Sequence, residues 1–244
     1  MGRKGRIYTP LSKLYFMLYF FITIIFMLWL IGFFQVVAHL IFGIPAWLVA
    51  ILVFLSLFGS LVNIPLFYVK SYKMIIKPTV IRIFFVEWVI PEVDWEEQKT
   101  LIAINLGGAI IPIAVSLYLI YKLALEGGII LLIKLIIALI IASILVNKIA
   151  KPIPGLGIAT PALGPPLITL IIVLILHPYI NTVEFYQMLY SVGSLSALIG
   201  ADLMNLHKIP ELGAPVASIG GAGTFDGVFV SGLASIWLAM FLLA

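Results

Sequence analysis

Long apolar runs alternate with short polar breaks along this chain, and most of the runs are too long for the core elements of a soluble domain. They occupy residues 14–42, 44–69, 100–121, 129–146, 165–176, 183–203 and 217–243. Crossing a bilayer as a helix takes ~20 residues, which several of these runs exceed. The pattern predicts an all-α, polytopic transmembrane helical bundle of about seven spans, forming a single integral membrane domain over residues 1–244. The fifth run is short for a full crossing. It follows "KPIPGLGIATPALGPP", which is too rich in Pro and Gly for regular helix and too apolar for water. A re-entrant segment buried among helices accounts for both properties.

One break has a different pattern. Between the second and third runs stands "KPTVIRIFFVEWVIPEVDWEEQKT". Its β-prone and aromatic residues, interrupted by Arg82 and Glu87, predict a short cytoplasmic strand-like insertion over 70–99. It reads as a strand pair or an interfacial segment on the membrane surface, and the plainer alternative is a connecting loop anchored by Trp88 and Trp95.

Composition agrees with a membrane protein: 64% of residues are hydrophobic and 10% charged, against about 25% charged in soluble domains. The net charge of +4 points to topology rather than to nucleic acid. With the N-terminus inside, inner loops collect Lys70, Lys73, Lys77, Arg82, Lys99, Lys148, Lys151 and Lys208, while the outer loops hold Lys122. This bias predicts a multi-pass protein of the cell membrane with a cytoplasmic N-terminus and an outer C-terminus. The basic "MGRKGRIYTPLSK" reads as the flank of an uncleaved first span. Abundant Ile with few Asn and Gln suits a thermophile. The absence of cysteine removes disulfides, thiolate nucleophiles and Cys metal sites. No cofactor or metal motif is present.

The chain also carries an apparent repeat, residues 44–122 and 183–244. "LFGSLVNIPL" and "LIGADLMNLHKIPEL" both place Gly and a small residue ahead of Asn63 or Asn205, then Ile-Pro. "INLGGAIIPIAVS" and "SIGGAGTFDGVFVS" both carry Gly-Gly-Ala before an apolar stretch ending in Ser. Parallel internal repeats are a plan of transport proteins. The pairs Gly107–Gly108 and Gly220–Gly221 allow close helix packing or local unwinding. Gly221 and Gly223 are expected to tolerate an added β-carbon less well than Gly232.

Chemistry centres on two aspartates. An ionised carboxylate in hydrocarbon costs roughly 3 kcal/mol or more, so Asp202 and Asp226 need an explanation. Rise per residue puts both at similar depth on neighbouring antiparallel helices. Facing each other, they would share a proton and activate a water, coordinate a cation, or relay protons. Asp202 as a wetted helix end and Asp226 as a helix N-cap are the structural alternatives.

"IGADLMNL", "LGAPVASIGGAGTFDGVFVSG", "NLGGAIIP" and "KPIPGLGIATPALGPP" together resemble the prokaryotic membrane proteins catalogued as domain of unknown function 1614, from about Phe58 onward. That resemblance implies no activity. A shorter set of motifs is similar to presenilin-like intramembrane aspartyl proteases. Asp202 stands for the first aspartate, Gly221-Ala222-Gly223 precedes Asp226, and Pro161-Ala162-Leu163 matches the Pro-Ala-Leu motif. Thr224 and Phe225 intervene before the second aspartate here, and Pro-Ala-Leu comes before the aspartates rather than after them. That resemblance implies an aspartyl endopeptidase with Asp202 and Asp226 catalytic. Its pocket would be lined by Pro161, Ala162, Leu163, Gly220, Gly221, Gly223, Asn205, Asn63, Gly107 and Gly108. The competing readings are an ion- or proton-coupled transporter or channel using the same aspartates, and a structural subunit without chemistry. The expected partners are membrane lipids and either a transmembrane peptide or a small ion.

Overall fold

Three of the apolar runs change from helix to strand, or from strand to helix, part-way along their length. The structure, a computed structural model, describes residues 17, 21, 43–153, 157–180, 182–221 and 227–243. The chain divides into units of residues 1–51 and 52–244. The first predicted span falls almost wholly outside the described residues.

Helix α1 (Ala46–Gly59) stops after 14 residues. A long antiparallel hairpin follows, β1 (Asn63–Ile83) and β2 (Val86–Asn105). A turn of π-helix, Leu106–Ile110, leads from β2 into α2 (Ile111–Ile149). The segment "KPIPGLGIATPALGPP" forms the small hairpin β3 (Lys151–Ile153) and β4 (Gly157–Ala159). Helix α3 (Gly164–Leu176) comes next, then α4 (Val183–Ala197). A second π-turn, Leu198–Asp202, passes into a 3-10 helix, Leu203–Leu212. Strand β5 (Val216–Ile219) precedes α5 (Gly227–Leu242).

The fold is therefore mixed, which corrects the all-α seven-span bundle. Among the described residues two helices are long and apolar enough to cross a membrane, Leu106–Ile149 and Val183–Pro210. The second predicted span ends as β1, the third begins as β2 and the seventh begins as β5. Hydropathy measures a preference for burial, and an apolar run satisfies it as strand or helix alike. The re-entrant segment is a hairpin followed by a 13-residue helix, with Ile158 packed beside Val146, Ala150 and Ala201. The strand-like insertion is much longer than the sequence pattern indicates, with strands of 21 and 20 residues.

Helix α2 is broken at Gly128, whose backbone is non-helical at φ 66° and ψ −169°. Unbroken, 39 residues at ~1.5 Å each would make a rod of about 58 Å, nearly twice the ~30 Å of bilayer hydrocarbon. Helices α4 and α5 cross where small residues meet. A methyl on Gly193 would lie 3.1 Å from Gly232 Cα, and one on Gly232 would meet Ser194 Oγ and the Tyr190 ring. Small residues at such a crossing let two backbones approach closely. Gly232 is thus a packing position, contrary to its expected tolerance.

The tip of the long hairpin is strained. Phe84 and Phe85 form its two-residue turn at φ 49° and 64°. Turns of this kind favour Asn-Gly, and each L-residue held left-handed costs about 1 kcal/mol or more. The two rings are 91% and 95% exposed.

Between α3 and α4, His177 is largely buried and stacks edge-on against Tyr179, with ring centroids 5.2 Å apart. Burial holds its pKa below the ordinary 6.5; Lys134 adds to the shift and Glu184 opposes it. A histidine depressed in the folded state stabilises above its unfolded pKa, and that contribution fades as pH falls below 6.5. Amide protection in this loop, taken relative to the intrinsic exchange rate at each pH, is expected to fall between pH 7.5 and 5.5 in wild type and to stay flat in His177→Gln.

Candidate functional site at the junction of two glycine turns

Strands β2 and β5 lie side by side and parallel, with Leu101–Ile104 in register with Val216–Ile219. Each runs into a glycine pair, Gly107–Gly108 after β2 and Gly220–Gly221 after β5. The two glycine turns meet. A β-carbon on Gly220, at φ 70°, would lie 2.6 Å from Ala109 Cβ and 2.8 Å from Gly108 C. Around this junction Ile102, Ala109, Ala197, Leu198, Ile209, Ile219 and Val228 form one apolar cluster.

The polar atoms at the junction are held by side chains from distant parts of the chain. Asn105 caps the first turn: its Oδ1 accepts from Gly108 N at 2.8 Å. Its Nδ2 donates to Ser60 O at 2.7 Å and to Asn63 Oδ1 at 3.0 Å. Ser218 Oγ also donates to Asn63 Oδ1. Ser56 Oγ donates to Gly107 O at 2.8 Å. Thr100 Oγ1 donates to Ala214 O at 2.6 Å, which ties β2 to the approach of β5.

Asp202 lies at the end of the second π-turn, partly buried. Its Oδ2 accepts from Gly220 N at 2.6 Å. The carboxylate thus binds the backbone at the point where the chain leaves β5. Single π-turns inside helices are frequent at functional sites. Asn205 is fully buried below it. Its Nδ2 donates to Ala201 O at 2.8 Å and Gly200 O at 3.2 Å, and its Oδ1 accepts from Lys208 Nζ at 2.7 Å. Asn147 Nδ2 donates to Gly200 O at 3.0 Å, where α2 crosses. A methyl on Gly200 would meet Ser143 O.

Of the residues singled out in the sequence, Asn63, Gly107, Gly108, Gly220 and Gly221 come together at this junction. Asp202 is bonded to it, and Asn205 supports the turn that carries Asp202. Gly223 and Asp226 lie outside the described residues. Pro161, Ala162 and Leu163 sit in an exposed turn ahead of α3. Sequence reasoning missed Asn105, Ser218, Ser56 and Thr100. Asn105 had a readable signal, since an Asn just before a Gly-Gly turn and an apolar run is a helix N-cap. Among the described residues no group of three or more His, Asp or Glu side chains is placed to hold a metal ion.

Asn105 has a measurable role. Asn105→Ala removes the cap, worth about 1 kcal/mol, and leaves Ser60 O and Gly108 N short of a partner, about 1 kcal/mol more. Thermal melts in detergent should fall by roughly 4–8 °C for a domain of this size. An unchanged melting temperature would mean the network is not holding the junction.

The strand–glycine–helix steps and the segment carrying Asp202 all fall within a stretch with known relatives. Residues 57–238 match a family described as Protein of unknown function (DUF1614). The chain belongs to this family. The comparisons with curated proteins and with solved structures give no match. Membership in DUF1614 attaches no activity to the residues of the junction. These comparisons show no similarity to presenilin-like proteases.

Proposed function

We propose that this DUF1614 protein carries a proton or a small cation across the membrane, with Asp202 as the group that binds it. The observation carrying this reading is the 2.6 Å bond from Gly220 N to Asp202 Oδ2, made where the non-helical turn after β5 meets the π-turn after β2. Non-helical backbone at membrane depth is tolerated where it is buried in protein or lines a polar path. Intramembrane carboxylates mark ion paths and proton relays. One oxygen of Asp202 can keep the Gly220 bond while the other takes up and releases the proton or cation. The parallel placement of β2 and β5 before their glycine pairs supports a duplicated unit, a plan shared by transporters. The protein is multi-pass in this reading, with its N-terminus cytoplasmic.

The test is ion flux in liposomes holding the full chain, read with an internal pH dye under an imposed proton or cation gradient. Wild type is expected to dissipate the gradient and Asp202→Asn is expected not to. A gradient that persists with wild type, combined with Asp202-dependent cleavage of a transmembrane peptide, would replace transport with proteolysis.

A further inference from the structure

The long hairpin has two unlike faces. Opposed residues of an antiparallel pair share a face. On one face the successive pairs Met74–Trp95, Ile76–Val93, Pro78–Pro91 and Val80–Val89 carry no charge. The other face carries the charges Lys73, Lys77, Glu92, Asp94 and Glu96 with Thr79, alternating with apolar residues such as Ile75 and Ile90 and giving way to Ile81–Trp88 and Ile83–Val86 next to the tip. There Lys77 Nζ pairs with Asp94 Oδ2 at 2.5 Å, and Thr79 Oγ1 donates to Glu92 Oε2 at 2.6 Å. Met74, Ile76, Val80, Val89, Val93 and Trp95 are each more than half exposed. A two-stranded ribbon with a bare apolar face is marginal in water, so something covers this face.

The free edges are poor docking sites. Pro78 and Pro91 stand directly opposite each other. Proline has no N–H to give a further strand, which is one of the ways natural sheets block edge pairing. A second copy packing face to face is too small an interface. Four residue pairs span about 20 Å along a ribbon about 10 Å wide, or ~200 Å². A stable dimer needs ~800 Å² per partner. A bilayer surface has no such minimum, and it is already at hand. Strand β2 runs through the π-turn without a break into Leu106–Ile149, one of the two helices long enough to span. The cations Lys70, Arg82 and Lys99 bracket the apolar pairs on the same face, together with Glu87 and Glu97. Aromatic residues flanked by cations are typical of a membrane interface.

We infer that the β1–β2 hairpin lies on the bilayer that holds the helices, with its uncharged face and the Phe84–Phe85 tip in the lipid interface and its ion-paired face toward water. The strained turn fits this placement, because it carries both rings beyond the last strand pair, where lipid can take them up. The inference rests on the chain being membrane-embedded and is independent of transport.

The chain has no cysteine, so single cysteines can be labelled with an environment-sensitive fluorophore in the full protein, reconstituted in phosphatidylcholine–phosphatidylglycerol vesicles. Labels at Ile76→Cys, Val93→Cys and Phe84→Cys should shift to the blue and be quenched by nitroxide lipids. Labels at Lys77→Cys and Thr79→Cys should instead be quenched by aqueous iodide. Ile140→Cys, on α2, is the control for embedding. If Ile140 is quenched by lipid while 76, 84 and 93 report water, the inference is overturned and the membrane reading survives. If Ile140 also reports water, both fail. Protection at 76 and 93 that disappears when protein is diluted in lipid would assign the face to a second copy and overturn the inference. Adding Phe84→Asp and Phe85→Asp should move the label at 76 toward water with the melting temperature of the helical body unchanged. A label that stays blue in that variant contradicts anchoring by the tip.

Discussion

Gly107→Ala is expected to be among the most damaging single substitutions in the chain. The added methyl would fall on Ser56 O and on the backbone N of Ser60, with Gly59 C 2.8 Å away. All three are main-chain atoms, so no rotamer change relieves the clash, and α1 must separate from the glycine turn. Overpacking of a tight core costs about 1–3 kcal/mol, occasionally more, and the rigid neighbours here put Gly107 at or beyond the upper end. The separation also breaks the Ser56 Oγ bond to Gly107 O. Gly227→Ala is the matched control, because among the described residues nothing lies within 4 Å of a β-carbon there. Its effect should stay within about 0.5 kcal/mol. Thermal melts and detergent-solubilised yield read both variants. Equal behaviour would mean that Gly107 is not a contact point.

The second large effect concerns function. Asp202→Asn keeps an oxygen to accept from Gly220 N, so the junction should hold and the melting temperature should move little. The side chain no longer titrates or binds a cation, and flux should fall to the level of empty liposomes. Asp202→Leu has no acceptor. It leaves Gly220 N unpaired at a cost of about 1–3 kcal/mol, which lowers the melting temperature by roughly 2–12 °C. The pair of variants separates the two jobs of the carboxylate. Wild-type flux in Asp202→Asn would remove Asp202 from the ion path and leave it as a support for the turn.

How much of this was legible beforehand differs from residue to residue. The glycine pairs stood out because Gly-Gly inside an apolar run is costly to a helix and needs a reason. Asp202 stood out because carboxylates are rare in such runs. Both sit at the junction. Gly232 did not stand out, since one glycine in a helix has many readings and only the nearness of Ser194 and Tyr190 makes it a crossing point. The hairpin turn was hidden as well. Phe84-Phe85 has none of the Gly, Asn or Pro that mark a turn, and only the pairing of Ile83 with Val86 reveals it.

By itself the sequence determined the properties that are sums over neighbouring residues. These are two of the helices of membrane-crossing length, a strand-prone insertion, and family membership from residue 57 to 238. The tertiary structure decided which apolar stretches are strands and what the polar groups at the junction do. Strand identity depends on a partner, and β2 finds one of its partners in β5, with Thr100 bonded to Ala214 across 114 positions of chain. A local pattern of hydropathy holds no information about a contact that distant, because burial is equally satisfied by either backbone form until the partner strand arrives.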